Sequence, residues 1–149
     1  TVSNGLMAIE FAGVAGAGPG VNAIEIAPTS LNITTTFDNT ARNAWDTYPT
    51  IVILGPVTGL KITNNTTGDL LDFGSNTIGS STTYTIDTRY GYKSVTDQLG
   101  ASQVSKLSTT SDLATWRLVP GVNSITVVGT ALDGNTRIYI QGNRRFIGP

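Results

Sequence analysis

The sequence predicts an all-β protein, a two-sheet antiparallel β-sandwich, and three observations support that prediction. Apolar and polar residues alternate with a period of two, most clearly over Thr83–Asp87. Charged residues make up only 13% of the 149 residues, and the β-prone residues threonine, valine, isoleucine and tyrosine are frequent. Seventeen glycines and six prolines interrupt the chain at short intervals. Many short strands separated by turns are typical of a sandwich.

The runs of alternating or continuous apolar residues place the strands along the chain. The continuous run Thr50–Leu54 predicts a strand covered on both faces. The predicted strands are Ala23–Ala27, Leu31–Phe37, Thr50–Leu54, Leu60–Asn64, Asp69–Phe73, Thr83–Asp87, Tyr92–Val95, a segment ending at Val119, Ile125–Val128 and Thr136–Gln141, with a short edge piece in the tail. Val122 begins the alternation that leads into Ile125–Val128, with Val122, Ile125 and Val127 expected on one face.

Turn residues connect these strands in ways that have a physical basis. Residues 65–68, Asn-Thr-Thr-Gly, predict a hairpin between the fourth and fifth predicted strands. Pro120-Gly121 predicts a type II turn, because proline fixes a negative φ and glycine accepts the positive φ that follows. Residues 111–116 suit one helical turn capped by Ser111 or Asp112.

Large aromatic side chains are expected to fill the core. Trp45, Trp116, Phe73 and Phe37 are the expected core residues, with a role as sugar platforms as the alternative. The domain boundaries follow from composition. Residues 1–22 include the glycine-rich tract 13–20 and are expected to be a linker or the remnant of an upstream ring-forming domain, whereas residues 23–149 form the sandwich.

Composition argues against an enzyme and against several kinds of partner. The chain has no histidine and no cysteine, so His-based acid–base chemistry, thiolate chemistry and the usual zinc sites are excluded. Asp69 and Asp72 would lie on opposite faces of a strand and make a poor catalytic pair. We expect no cofactor, no metal and no membrane insertion. The net charge of −1 gives no reason to expect nucleic-acid binding.

The charge is unevenly distributed along the chain. Up to Asp87 there are two basic and seven acidic residues, and from Thr88 onward there are seven basic and three acidic ones. Two interpretations remain open. The two parts either neutralise each other within the fold or create a dipolar surface between copies.

Five segments in order carry a resemblance to a known family. They are PTIVILGPV at 49–57, ITNNTTG at 62–68, YTIDT at 84–88, SDLATWRLVPGVN at 111–123 and RIYI at 137–140. Together they resemble the C-terminal domain of siphophage distal tail proteins, also called Dit or phage tail-family baseplate proteins. The resemblance covers residues 31–147.

The resemblance implies a galectin-like or jelly-roll sandwich attached to a ring-forming domain, which is absent here apart from a possible linker. It implies a virion protein, assembled in the bacterial cytoplasm, that links the tail tube to the receptor-binding apparatus. Its partners would be other tail-tip proteins. The full-length parent would be a hexamer, and this domain alone would be a monomer. The alternative is a carbohydrate-binding module for host-surface glycans.

The predicted contact residues are aromatic residues near loops and the adjacent basic pair of the tail. They are Trp45, Tyr48, Tyr90, Tyr92, Arg144 and Arg145. The family provides no catalytic residues that could be transferred to this sequence. Arg144 and Arg145 have a second interpretation, as charges that discourage strand addition at an edge.

Overall fold

A computed structural model describes residues 6–10, 30–40, 44–142 and 145–146, and it describes the side chains of residues 30–40 and 45–142. Twelve strands are present in these residues: β1 Leu6–Glu10, β2 Ser30–Asn39, β3 Ala44–Trp45, β4 Thr50–Leu54, β5 Val57–Asn64, β6 Leu70–Asp72, β7 Thr77–Ile78, β8 Thr83–Asp87, β9 Ser94–Asp97, β10 Gly121–Thr130, β11 Arg137–Gln141 and β12 Arg145–Phe146. One 3₁₀ turn, Val104–Lys106, is the only helical element of the described part.

The main strands form two antiparallel five-stranded sheets. The first sheet has the order β1-β11-β4-β8-β9, and the second has the order β2-β10-β5-β6, with β7 pairing on β5. β3 and β12 form a separate two-stranded ribbon. The sheets pack face to face, and the rings of Phe73 and Tyr84 meet across the interface with their centroids 6.2 Å apart. The predicted antiparallel β-sandwich is therefore confirmed.

Alternation along each strand decides which side chains enter the core. In β8, Tyr84 and Ile86 are buried while their neighbours are partly exposed, as the period of two predicts. β4 differs from its prediction, because Val52 and Leu54 stay partly exposed and only Ile51 and Ile53 are fully buried. The opposite sheet covers one face of β4, so this strand is fully buried on that face alone.

The aromatic core predictions are right for three residues and wrong for one. Trp116, Phe73 and Phe37 are buried in the cluster between the sheets. Trp45 is 50% exposed, because it lies in the β3–β12 ribbon outside the two main sheets. Its alternative interpretation, as a surface platform, is the one compatible with this position.

At the start of β10, the sequence pattern predicts the wrong side chain to be buried. Val122 is exposed and Asn123 is fully buried, whereas the apolar pattern predicts the reverse. Val122 and Ile125 are three residues apart, and an odd spacing places them on opposite faces of a strand. Gly121 does adopt the predicted positive φ, at 103°. Its strand, however, pairs with β2 and β5 and not with the segment before the turn.

The predicted helical turn at residues 111–116 is a single hydrogen-bonded turn. The carbonyl of Asp112 accepts hydrogen bonds from the amides of Thr115 and Trp116, at 3.0 and 2.9 Å. The Asp112 carboxylate does not cap this turn. Its Oδ2 atom accepts a hydrogen bond from the amide of Leu70, at 2.9 Å, on the outer edge of β6. The loop therefore supplies a hydrogen-bond acceptor to a backbone amide at the open edge of the sheet.

Residues 115–121 cross one end of the sandwich and form what we call the strap. Three fully buried asparagines hold it: Asn39 at the end of β2, Asn64 at the end of β5, and Asn123 in β10. Their side-chain amides donate to the carbonyls of residues 117–119 and 121, and Asn64 Nδ2 lies 2.7 Å from the Arg117 carbonyl oxygen. Side-chain amides thus take the place of the backbone amides of a neighbouring strand, because a carbonyl that is shielded from water needs a hydrogen-bond donor.

Gly55 marks a close approach between two loops at the opposite end of the sandwich. A Cβ atom at this position would lie 2.4 Å from the Gly79 carbonyl oxygen and 2.7 Å from the Ile78 carbonyl oxygen. Both contacts are with backbone, so no rotamer change relieves them. Glycine is required here by space.

Two predicted features concern the start of the chain. Of the predicted linker 1–22, the structure describes Leu6–Glu10, a strand that pairs with β11 and that the sequence pattern did not assign. The predicted strand Ala23–Ala27 lies outside the described residues. The sequence pattern also assigned no strand to Ala44–Trp45 or Thr77–Ile78, where only two residues pair.

Candidate contact surface

Strand register brings four loops together at one end of the sandwich. Thr50, the first residue of β4, pairs with the last residues of β8 and β11, Asp87 and Gln141. Asn39, the last residue of β2, pairs with Gly121 at the start of β10. The strap joins the two sheets here, and we call residues 45–49, 65–69, 87–93 and 115–120 the contact end.

The predicted contact residues converge at this end. Trp45, Tyr48, Tyr90 and Tyr92 belong to two of its loops, although they span 48 positions of the sequence. Arg145 pairs with Trp45 through the backbone of the β3–β12 ribbon. Arg144 lies outside the described residues. Tyr90 is 84% exposed and Tyr92 is 67% exposed, so their rings face solvent.

A salt bridge between Arg89 and Asp87 stabilises the tip of the β8–β9 hairpin. Arg89 Nε lies 3.0 Å from Asp87 Oδ1, and its Nη2 lies 2.6 Å from Oδ2. The same guanidinium lies over the ring of Tyr92, 5.1 Å from the centroid. Hydrogen bonding from Arg89 lowers the pKa of Asp87, which keeps this carboxylate ionised.

Lys93 connects the hairpin to the loop before β4. Its ammonium donates a hydrogen bond to the Thr88 carbonyl and lies 4.9 Å from the ring centroid of Tyr48. The Thr88 hydroxyl and amide in turn both donate to the Pro49 carbonyl, at 2.6 and 3.2 Å. Burial lowers the pKa of Lys93, while the carboxylate of Asp87 opposes that shift. The two loops are therefore held together.

The strap contributes a second pair of opposite charges. Arg117 Nε lies 2.9 Å from Asp46 Oδ2, and because its N–H is not aimed at that oxygen, the contact is an ion pair. Arg117 Nη1 also donates to the Thr115 carbonyl at 3.2 Å. The Thr115 hydroxyl donates to Asp69 Oδ1 at 2.8 Å. Trp45 lies beside these charged groups in the chain.

The charges of the contact end are largely neutralised within the fold. Asp87 and Asp46, from the acidic part of the chain, pair with Arg89 and Arg117 from the basic part. This arrangement favours internal complementarity over a dipolar surface as the meaning of the uneven charge. The exposed residues of the contact end include Trp45, Tyr90 and Tyr92, together with Arg89 and Thr115.

The carboxylates of the described residues do not gather into a reactive or metal-binding group. Asp72 Oδ2 lies 3.1 Å from Lys61 Nζ, while Asp69 contacts Thr115, so the two aspartates serve separate contacts. No cluster of three or more histidine, cysteine, aspartate or glutamate residues within this part of the chain has a geometry suited to a metal ion. Nor does any helix in the described ranges have the length and apolar character needed to cross a membrane.

Sequence reasoning missed the charged residues that organise this surface. Asp87, Arg89 and Lys93 alternate with the tyrosines in the segment Asp-Thr-Arg-Tyr-Gly-Tyr-Lys, and that interleaving is a local signal that was available. The pair of Asp46 with Arg117 had no local signal, because 70 residues separate them and register alone brings them together.

Comparisons with known proteins do not identify the chain. No family model, no curated protein and no solved structure matches it.

Proposed function

We propose that this chain is a docking module of a phage tail tip or baseplate, the sandwich domain of a distal tail protein that links the tail tube to the receptor-binding apparatus. The observation that carries the proposal is the contact end. Aromatic residues from separate loops converge there on a rigid scaffold, while the nearby charges are paired. Tyrosine, tryptophan and arginine are the residues enriched where protein interfaces gain most of their affinity.

The five ordered sequence segments, which resemble those of distal tail proteins, are the reason for proposing a phage tail as the assembly. Four of them contain residues of the contact end, namely the segments 49–57, 62–68, 84–88 and 111–123. A module that binds other virion proteins needs a rigid core and a binding surface formed by loops, which tolerate changes in sequence. No reaction is part of this role, and the carboxylates of Asp46, Asp72 and Asp87 each have a cationic partner, which suits it.

Immunogold electron microscopy tests the location. Antibodies raised against the purified chain are applied to intact particles of the phage or prophage that encodes it. We expect gold at the distal end of the tail, adjacent to the tube. Label on the capsid, or a particle proteome that lacks the chain altogether, would contradict the proposal. Tail-less particles from the same preparation are the matched control.

Carbohydrate recognition is the second candidate, and the position of Trp45 favours it. The Trp45 side chain is 50% exposed, so part of its indole is open to solvent, and an accessible aromatic ring is what a pyranose ring needs for stacking. The Asp46–Arg117 pair next to it would supply hydrogen-bonding groups for hydroxyls. Titration with purified host cell-wall polysaccharide, followed by tryptophan emission, tests this candidate. Binding that Trp45→Ala abolishes supports it, and the absence of any binding by the unaltered chain removes it.

A further inference from the structure

The hairpin tip at residues 88–93 has a shape that points to one kind of partner. Four consecutive residues of this tip, 89–92, are exposed, and the tip carries two tyrosine rings of which most of the surface faces solvent. Rings that line a ligand cleft are partly covered by the walls of the cleft. The Arg89 guanidinium lies over the ring of Tyr92, and Tyr90 is the more exposed of the two, so we describe the tip as a protrusion.

The protrusion is also rigid. Gly91 takes a positive φ of 83°, and the Tyr92 amide donates to the Arg89 carbonyl at 3.0 Å, which closes the turn. Arg89 is fixed on Asp87, and Thr88 is fixed on Pro49. A rigid aromatic tip loses little conformational entropy on binding, which is how preorganised interfaces gain affinity.

We infer that residues 88–93 form a finger that inserts Tyr90 and Tyr92 into a recess on a protein partner. A convex tip needs a concave surface. Asp87 offsets only one of the two cations of the tip, Arg89 and Lys93, because the Lys93 ammonium is held by a neutral backbone carbonyl, so the recess would carry an acidic group at its rim. The recess would be lined by apolar groups, with acceptors for the two phenol hydroxyls. This inference rests on the proposed docking function for the class of partner.

Arg89 has a distinct place in this inference, as a positioning residue. Two of its nitrogens contact Asp87, and its plane supports Tyr92. Lysine cannot reproduce that fork or the stacking. Arg89→Lys is therefore expected to weaken binding by about 2- to 12-fold, the factor that corresponds to ordering one extra side chain on association.

The experiment measures binding of the full chain to each structural protein of the same virion, purified singly and immobilised. We expect one of them to bind. Tyr90→Ala and Tyr92→Ala should each weaken that binding by about 30-fold or more, as interface hot spots do. The matched control is Leu99→Ala, since Leu99 is 86% exposed in the turn at the other end of β9 and should leave binding unchanged.

The outcomes separate the finger from the docking function. If the unaltered chain binds a virion protein and both tyrosine variants bind equally well, the finger is wrong while docking stands. If the unaltered chain binds none of them, the docking function fails and the finger fails with it. If the tyrosine variants instead lose binding to host cell-wall polysaccharide, the partner is a carbohydrate and the inference is overturned. Circular dichroism melting confirms that each variant is folded.

Discussion

Replacing Asn64 with alanine tests whether buried side-chain amides hold the strap. Asn64 is fully buried, and its Nδ2 atom donates to the Arg117 carbonyl at 2.7 Å and to Asn123 Oδ1 at 3.3 Å. Its Oδ1 atom accepts from the Thr66 amide at 3.0 Å. The substitution leaves the Arg117 carbonyl without its donor, whereas Asn123 Oδ1 keeps the amide of Val119, at 2.9 Å.

The expected cost follows from that count. Leaving one partly buried carbonyl without a donor lowers the free energy of unfolding by about 1–3 kcal/mol, and the other lost hydrogen bonds add about 1 kcal/mol, so we expect a total decrease of about 3 kcal/mol. For a domain of this size, that loss lowers the melting temperature by about 6–12 °C. Differential scanning calorimetry at pH 7 measures the change.

The next residue provides the matched control. Asn65 is exposed, and its side chain contacts only the hydroxyls of Ser124 and Thr126 on the sheet surface. Asn65→Ala should therefore change stability by less than about 1 kcal/mol. If Asn64→Ala and Asn65→Ala melt within 2 °C of one another, estimated from the about 0.5 kcal/mol scatter of surface substitutions, the reasoning about the strap is refuted.

Three further substitutions probe space, charge and exposure. Gly55→Ala should lower the free energy of unfolding, measured in urea, by about 3 kcal/mol or more, because the added Cβ would collide with backbone atoms. Gly68→Ala is the control: the added Cβ has open space and only the φ of 83° is unfavourable, so the decrease should be about 1 kcal/mol. The pKa of Asp87 in the folded state lies below the ordinary value of 3.8, so the ionised carboxylate stabilises the fold above about pH 4 and that contribution is lost as pH falls further. Asp87→Asn should therefore lower the melting temperature at pH 6 and have a smaller effect at pH 2.5, about one unit below the ordinary value; an equal effect at both would contradict this. Trp45→Phe should remove the acrylamide-quenchable emission and leave the blue-shifted signal of Trp116, and a quenchable residual signal would show that Trp116 is not buried.

The strands were predictable because their signal is local. Thr50–Leu54 and Thr83–Asp87 were predicted with the same bounds that the structure has, since alternating or continuous apolar runs are read from a few neighbouring residues. Two-residue strands such as Ala44–Trp45 and Thr77–Ile78 have no period to read. Their pairing depends on a partner elsewhere in the fold, so no local pattern reports it.

The errors share a physical cause, which is that pairing between distant segments decides which side chains are buried, whatever their polarity. Asn123 is buried in β10 because its amide has donors and acceptors at hand in the strap, whereas Val122, the more apolar residue, is exposed. The same applies to Trp45, whose backbone joins a ribbon that holds its ring outside the core. Position in these cases was set by register between distant segments.

The contact end was predicted as a set of residues but not as a site. Tyr48, Tyr90 and Tyr92 were named because aromatic residues near loops bind partners, and that reason says nothing about how they are held. The structure adds Lys93 and Arg89, which lie on Tyr48 and Tyr92. Each cation fixes a ring, so charge serves here to position aromatic groups.

Different residues hold the strap and the hairpin tip, so the exposed loop residues can be substituted without loss of the fold. The strap is held by buried asparagines at the ends of β2, β5 and β10, and none of them belongs to the exposed loops. The hairpin tip is held separately, by Asp87 and by the Pro49 carbonyl. Substitutions at Tyr90 should therefore alter binding without altering stability, whereas substitutions at Asn64 should do the reverse. Measuring binding and stability for both variants shows whether the exposed binding residues are independent of the residues that stabilise this end of the fold.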